Sequence, residues 1–404
     1  MPQTRRSSFA AEFAALSPQV DSYVPDIVDL LLRQARGNRA SDIHLIPEDD
    51  GLRVQWRIDG VLETVAVLHR ELSPRIVARL KVLCGLLTYR TDVPQEGRVS
   101  REYSAAEVRV ATFPTLHGEK AAVRLFAESH TLRRLAQLGL PPEIEFALRQ
   151  QLQATDGVIL LTGPSGSGKT TTVYACLRDI LAESGDARSI MTLEDPIEVA
   201  VAGITQSQVR PTVGFDLAAG LRSLMRQDPD VIMVGEIRDP GTAEVVFQAA
   251  LTGHLVLTTF HAGSAVEAIT RLLDMGIEPY LLRSTLRSVV CQRLLRRCSA
   301  APHLPGSPAI LPNREISSDK SRPSETPAQV EPLNDYHGRI VIAEMLNPDV
   351  PEVANALLQR QDARRLAAVA KAAGFRTLRD AASEAVADGL TTIEEVFRVL
   401  GRTS

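Results

Sequence analysis

The stretch LTGPSGSGKTTTVYACL, residues 161 to 177, decides the fold that we predict for this 404-residue chain. It continues the apolar run GVIL and passes through glycine, proline and serine to Lys169 and three threonines. Gly163, Gly168, Lys169 and Thr170 match the phosphate-loop (Walker A) pattern, which needs a strand before the loop and a helix after it. The sequence therefore predicts a strand, a phosphate-binding loop and a helix, rather than a glycine-rich structural turn.

This loop predicts how a nucleotide is held. Backbone N–H groups at a helix N-terminus surround an anion, Lys169 reaches the β- and γ-phosphates, and the Thr170 hydroxyl ligates Mg²⁺. We therefore predict ATP and Mg²⁺ as cofactors. The predicted nucleotide-binding residues of the loop are Gly163, Pro164, Ser165, Gly166, Ser167, Gly168, Lys169, Thr170 and Thr171.

Acidic residues follow two further apolar strands. Glu194 and Asp195 end the strand in MTLEDPIE, and Glu236 follows the strand VIMV, where Gly235 occupies the place of the usual magnesium-orienting aspartate. Carboxylates at the carboxyl ends of parallel strands point into the crevice where nucleotides bind. We predict that Glu236 orients or deprotonates the attacking water, while Glu194 or Asp195 supplies negative charge around Mg²⁺.

Two histidines flank the next strand, LVLTTF. His261 follows this strand and is predicted to sense the γ-phosphate, and His254 precedes it as a second candidate for contact with the nucleotide. A core or capping role is the alternative for either histidine. Apart from histidine, these core motifs offer no second strong cation beside Lys169.

Segment patterns divide the chain into two domains. Residues 22–130 combine strand-like stretches with helices and predict a small α/β domain. Residues 131–404 alternate short apolar strands with helical segments and end in amphipathic helices, which is typical of a parallel sheet covered on both faces. Residues 1–21 are expected to be flexible, and the Pro/Ser-rich stretch 299–336 to form a disordered loop.

Composition narrows the functional classes. A net charge of −4 lacks the basic field of a nonspecific nucleic-acid binder, so we predict no nucleic-acid partner. No apolar run is long enough to span a bilayer, and the N-terminus lacks the apolar core of a signal peptide. The four cysteines form no CxxC pair, which favours free thiols in the cytoplasm.

The four core blocks, in this order and spacing, resemble the secretion-type ATPases of type II secretion and type IV pilus systems. The upstream stretches RASDIHL, VQWRIDG, PQEGRV and VRVATFPTLHGEKAAVRL are similar to the N-terminal domain of that family. The resemblance implies a RecA-like core and a homo-hexameric ring with ATP between the small domain and the core. It also implies that hydrolysis drives an inner-membrane platform protein, with the motor on the cytoplasmic side and attached through its partners.

The resemblance further implies that arginines of the small domain approach the phosphates. Arg109 in VRVATFP and Arg124 in AVRLF occupy the matching positions, with a solvated strand face as the alternative. Because the short turn TLHGEK joins their strands, we expect the two side chains on neighbouring strands. Extending members carry two CxxC pairs that bind zinc, whereas only Cys291 and Cys298 lie here, so we expect no zinc. We also expect that the long leading domain by which many secretion members dock is absent.

Other readings stay open. Within the same family, the chain could be a pilus retraction motor instead of a secretion or pilus-assembly motor. A RecA-like nucleic-acid translocase would need basic or aromatic pore loops, yet only 4% of the residues are aromatic. A nonhydrolytic assembly protein would lack a catalytic carboxylate, and this chain carries several.

Overall fold

A computed structural model describes most of the chain as two compact units, Met1–Thr131 and Leu132–Ser404. The described residues are 2–100, 102–103, 107–126, 134–299 and 336–402. The predicted disordered loop, apart from its end residues Ser299 and Tyr336, lies outside the described residues.

The first unit is a six-stranded antiparallel sheet with helices packed on one face. The strand order across the sheet is β3-β2-β1-β6-β5-β4. Its strands are β1 (Ala40–Pro47), β2 (Leu52–Ile58), β3 (Val61–Leu68), β4 (Gln95–Arg98), β5 (Val108–Thr115) and β6 (Gly118–Leu125). Its helices are α1 (Pro2–Ala14), α2 (Tyr23–Gly37) and α3 (Leu72–Leu83). Strand β2 alternates buried and half-buried residues because every second side chain faces the helices.

Helix α1 differs from the flexible N-terminus that composition predicted. Phe9 is fully buried, and its ring meets the Trp56 ring edge-on with the centroids 6.0 Å apart. Phe13, one helical turn further, stacks on Phe9. Aromatic side chains bury a large area, so two of them at helical spacing are enough to anchor a segment that is otherwise rich in serine and alanine.

The second unit contains a seven-stranded sheet in the order β13-β12-β7-β11-β10-β8-β9. All neighbouring strands are parallel except the pair β12 and β13. The strands are β7 (Gly157–Thr162), β8 (Ile190–Glu194), β9 (Thr205–Gln208), β10 (Val231–Val234), β11 (Leu255–Phe260), β12 (Leu286–Cys298) and β13 (Tyr336–Leu346). Every residue of β7, β10 and β11 is buried, because helices cover both faces of this parallel sheet.

Ten helices of the described residues surround that sheet. They are α4 (Pro142–Leu152), α5 (Lys169–Ser184), α6 (Leu217–Leu224), α7 (Pro240–Leu251), α8 (Ala265–Asp274), α9 (Pro279–Thr285), α10 (Pro351–Leu358), α11 (Ala363–Ala372), α12 (Leu378–Ala387) and α13 (Ile393–Leu400). The predicted α/β architecture with terminal helices is confirmed. Among the described residues, no helix combines the length and apolar surface that crossing a bilayer requires.

Candidate functional site

The phosphate loop connects the end of β7 to the start of α5, as the sequence predicted. Gly163 has a φ of 145° and Gly168 a φ of 91°, and residues other than glycine rarely adopt such backbone angles. Gly168 is the N-cap residue of α5. The loop therefore ends at a helix N-terminus, where unpaired N–H groups and the helix dipole favour an anion.

Lys169 and two hydroxyl groups give this loop the chemistry of a phosphate site. The Lys169 ammonium donates to the carbonyl oxygens of Gly163 (2.9 Å) and Pro164 (3.0 Å), and the residue is only 7% exposed. Burial lowers the pKa of Lys169, and the negative charge of Glu236 opposes that shift. The buried Ser167 hydroxyl has no hydrogen-bond partner among the residues that the structure describes. These groups fit the triphosphate of ATP, and the Thr170 hydroxyl, in the first turn of α5, fits Mg²⁺.

Four side chains at the ends of β8, β10 and β11 form what we call the open cluster: Asp195, Glu236, Arg238 and His261. One carboxylate oxygen of Glu236 lies 3.1 Å from His261 Nε2, and the other accepts a hydrogen bond from Arg238. Arg238 also donates to Asp195 over 3.0 Å. The Glu236 side chain is 19% exposed, so water can reach it although both of its oxygens have partners. A carboxylate in these surroundings can accept a proton from water or orient it.

Glu194 lies instead in a buried network with Tyr174, Thr192 and Gln206. Its oxygens accept hydrogen bonds from Thr192 (2.6 Å), Gln206 (3.1 Å) and the Tyr174 hydroxyl, and the residue is 2% exposed. Burial and the hydrogen bond to Glu194 raise the pKa of Tyr174. Glu194 was expected to point into the nucleotide crevice together with Asp195. The structure separates these two neighbours, because internal donors already occupy both oxygens of Glu194.

His254 is not brought to the phosphate loop, which corrects its assignment as a nucleotide contact within its own chain. Its Nδ1 atom lies 2.8 Å from the carbonyl oxygen of Ala249, at the end of α7. The six residues of β11 separate it from His261, a distance of about 20 Å at the rise of an extended strand. His254 therefore lies at the amino-terminal end of β11, away from the phosphate loop, where its contact with Ala249 caps the end of α7.

Two arginines of the second unit escaped the sequence reasoning, which expected no strong cation beside Lys169 except histidine. Arg238 belongs to the open cluster. Arg293, in β12, is 9% exposed, donates to the carbonyl oxygen of Gly263 over 2.8 Å, and lies close enough for its charge to lower the pKa of Lys169. The expectation was wrong for two reasons. Arg238 was overlooked within the stretch GEIRD, and Arg293 lies far from the phosphate loop in sequence.

Arg109 and Arg124 of the first unit lie directly opposite each other on β5 and β6. This confirms the prediction that they lie on neighbouring strands. The Arg109 guanidinium donates to Glu107 over 2.7 Å and stacks over the Phe126 ring, and Arg124 Nε lies 3.3 Å from Asp42. Each arginine thus has a carboxylate partner in its own unit, which the sequence reasoning did not foresee.

Metal ions in proteins are held mainly by His, Cys, Asp and Glu side chains, and the structure shows how these are grouped. The residues that it describes include no group of three or more His, Cys, Asp or Glu side chains that could hold a metal ion. Cys291 and Cys298, like Cys84 and Cys176, are free thiols. The expectation that zinc is not bound stays a prediction.

Comparison with known proteins gives one consistent result. Residues 19–398 match the family model described as type II/IV secretion system protein. The chain is 38% identical over 387 residues to the type II secretion system protein HxcR of Pseudomonas aeruginosa, covering 95% of this chain and 79% of that protein. It is also 38% identical over 390 residues to the type II secretion system ATPase E of Vibrio cholerae, covering 95% and 76%.

Solved structures agree on the fold. The Legionella pneumophila ATPase DotB superposes with a TM-score of 0.68 at 19% identity, covering 95% of this chain and 98% of that one. The pilus retraction motor PilT with bound ADP gives a TM-score of 0.60 at 25% identity, covering 92% and 96%. The predicted phosphate-loop ATPase fold is therefore confirmed.

Proposed function

Because the chain belongs to the type II/IV secretion system protein family, we propose that it is a motor ATPase whose ATP hydrolysis powers a type II secretion or type IV pilus-like machine. The observation that carries this proposal is the combination of a phosphate loop with the open cluster at the carboxyl edge of one parallel sheet. Such edges are where nucleotides bind in open α/β sheets. The kind of machine is inferred from relatives that are named as type II secretion and type IV pilus assembly ATPases.

Each side chain of the second unit has a distinct task in this proposal. Lys169 and the loop N–H groups hold the β- and γ-phosphates, and Mg²⁺ held by Thr170 would neutralise charge on them. Glu236 orients the attacking water and accepts its proton. His261 and Arg238 fix the Glu236 carboxylate through contacts on both of its oxygens, and the Arg238 guanidinium places positive charge near the γ-phosphate.

Glu194 and Asp195, neighbours at the end of β8, have roles different from that of Glu236. Asp195 is 37% exposed and holds Arg238, so it can add negative charge near Mg²⁺ through water. Glu194 is buried among neutral donors, and we propose that it ties α5 to β8 instead of contacting the metal.

We further propose that the working assembly is a homo-hexamer attached to an inner-membrane platform protein on its cytoplasmic side, with no nucleic-acid partner. In this arrangement Arg109 and Arg124 of the small domain, residues 22–130, close over ATP that the ATPase domain, residues 131–404, holds. Closure of that kind couples hydrolysis to domain motion, which a membrane partner can use. The cross-strand placement of the two arginines supports a shared anion.

A retraction motor is the second candidate within the family. The likeness to PilT, a pilus retraction motor, favours it. The likeness to relatives named for type II secretion favours the first candidate, and it is stronger in sequence.

The test of ATPase function is phosphate release by Lys169→Ala. Loss of the ammonium that holds the β- and γ-phosphates should reduce turnover at least a hundredfold. Lys371→Ala, which removes an exposed lysine of α11, is the matched control and should retain wild-type turnover. Turnover within twofold of wild type in Lys169→Ala would contradict the assignment of this loop as the ATP-binding phosphate loop.

A further inference from the structure

Gln292, in β12, contacts the phosphate loop and the helix that follows it. The residue is 1% exposed. Its side-chain amide donates to the carbonyl oxygen of Ser167 over 2.8 Å, and its carbonyl oxygen accepts from the Thr172 hydroxyl over 3.0 Å. Because a primary amide both donates and accepts, one side chain joins the loop to the first turn of α5.

The backbone of the loop is packed against the same residue. A Cβ atom on Gly163 would lie 2.7 Å from the backbone carbonyl oxygen of Gln292, and one on Gly168 would lie 2.9 Å from the side-chain nitrogen of Gln292. Both distances are too short for real atoms. Gly163 is therefore required by the close approach of the Gln292 backbone as well as by its positive φ angle, and Gly168 is required by its positive φ angle and lies close to the Gln292 amide.

The register of the sheet puts Gln292 in this position. Strands β12 and β7 are parallel, with Cys291 opposite Thr162, so Gln292 is level with Gly163, the first residue of the loop. The groups that Gln292 binds are a carbonyl oxygen and a hydroxyl group. The loop N–H groups, which bind phosphate in sites of this kind, are not among its partners.

We propose that Gln292 is a positioning residue that holds the phosphate loop in its anion-binding conformation before nucleotide arrives. The inference rests on the proposed ATPase function. Fixing a backbone in one conformation costs conformational entropy, so a loop that is ordered in advance binds its ligand more tightly than one that the ligand must order. Gln292 does not contact the reacting atoms, so its loss should weaken binding more than it slows the chemical step.

The experiment is nucleotide titration and steady-state kinetics of Gln292→Ala. We expect the Kd of a fluorescent ATP analogue and the KM for ATP to rise about tenfold, with kcat at saturating ATP within threefold of wild type. The matched control is Ser288→Ala, four residues earlier on β12. It loses a buried hydroxyl that donates to Gln151 of α4, and it should bind within twofold of wild type even if its melting temperature falls.

The outcomes separate the inference from the function on which it rests. A folded Gln292→Ala protein that binds ATP within twofold of wild type overturns the positioning role and leaves the ATPase function standing. A lower kcat with unchanged KM also overturns it, because general destabilisation would then explain the loss. A wild-type chain that binds no ATP contradicts both proposals. If Gln292→Ala does not fold, Gln292→Glu keeps the volume and the acceptor for Thr172 and should show at least the same weakening.

Discussion

The two glutamates that follow neighbouring core strands have opposite surroundings. Strands β8 and β10 pair in parallel with Leu193 opposite Val234, so Glu194 and Glu236 leave the sheet at nearly the same level. Glu194 lies in the buried network, where neutral hydroxyl and amide groups satisfy it. Glu236 lies in the open cluster, between an imidazole and a guanidinium.

In the function that we propose, this difference separates a structural carboxylate, Glu194, from a reactive one, Glu236. A buried acceptor with all its hydrogen bonds made is costly to disturb, which suits a role in holding elements together. A partly exposed carboxylate can exchange a contact for a water molecule, which general-base chemistry requires. Position at a strand end is therefore not enough to assign a catalytic role.

The largest expected effect tests whether the open cluster suffices by itself. The cluster contains Arg238 and His261, yet we propose that phosphate charge in the transition state also needs Arg109 and Arg124. Replacing both with alanine should reduce ATP turnover about a thousandfold, as loss of an arginine finger does. The measurement is ATPase rate against protein concentration. Two results together would refute the proposal that Arg109 and Arg124 close over ATP in a ring. They are an undiminished rate in the double variant and a wild-type specific activity that does not rise with protein concentration.

The next effect concerns the stability of the buried network. Glu194→Ala leaves Tyr174, Thr192 and Gln206 without their shared acceptor, and each unsatisfied buried group costs about 1–3 kcal/mol. We expect the free energy of unfolding, measured by urea denaturation, to fall by about 3 kcal/mol. Glu244→Ala, on the exposed side of α7, should change it by less than about 0.5 kcal/mol. If Glu194→Ala kept wild-type stability and lost turnover, Glu194 would belong to the reacting site, and the contrast with Glu236 would be wrong.

The smallest effects compare the two histidines. His261→Ala removes a partner of Glu236 and should lower kcat about tenfold, less than the roughly hundredfold or greater loss expected when the acid–base group itself is removed. His254→Ala should leave kcat within twofold, because His254 caps α7 at the other edge of the sheet. Equal losses in the two variants, measured as phosphate release at saturating ATP, would show that proximity to Glu236 does not matter.

Local patterns predicted most of the fold. Apolar runs followed by glycine and lysine specified β7, the phosphate loop and α5, because those residues determine their own backbone conformation. Helix α1 was missed since its stability depends on contact between Phe9 and Trp56, which are 47 residues apart in sequence. Composition does not reveal such pairs.

The site was predicted less completely than the fold. Sequence placed Glu194 and Asp195 in one acidic box, but whether a side chain turns inward depends on donors such as Tyr174 and Gln206 from other elements. Gln292 and Arg293 reach the site only because β12 lies beside β7, a neighbour relation that strand order determines and local sequence does not.

The most direct test of the account is nucleotide affinity and turnover of Glu236→Gln. The amide keeps the size of the side chain and cannot accept the proton of water, so chemistry should fail while binding persists. The account predicts a Kd for ATP within threefold of wild type and a kcat at least tenfold lower, with Glu244→Gln unchanged in both. A Glu236→Gln protein that loses affinity and turnover equally, or retains full turnover, would contradict the assignment of Glu236 as the residue that activates water.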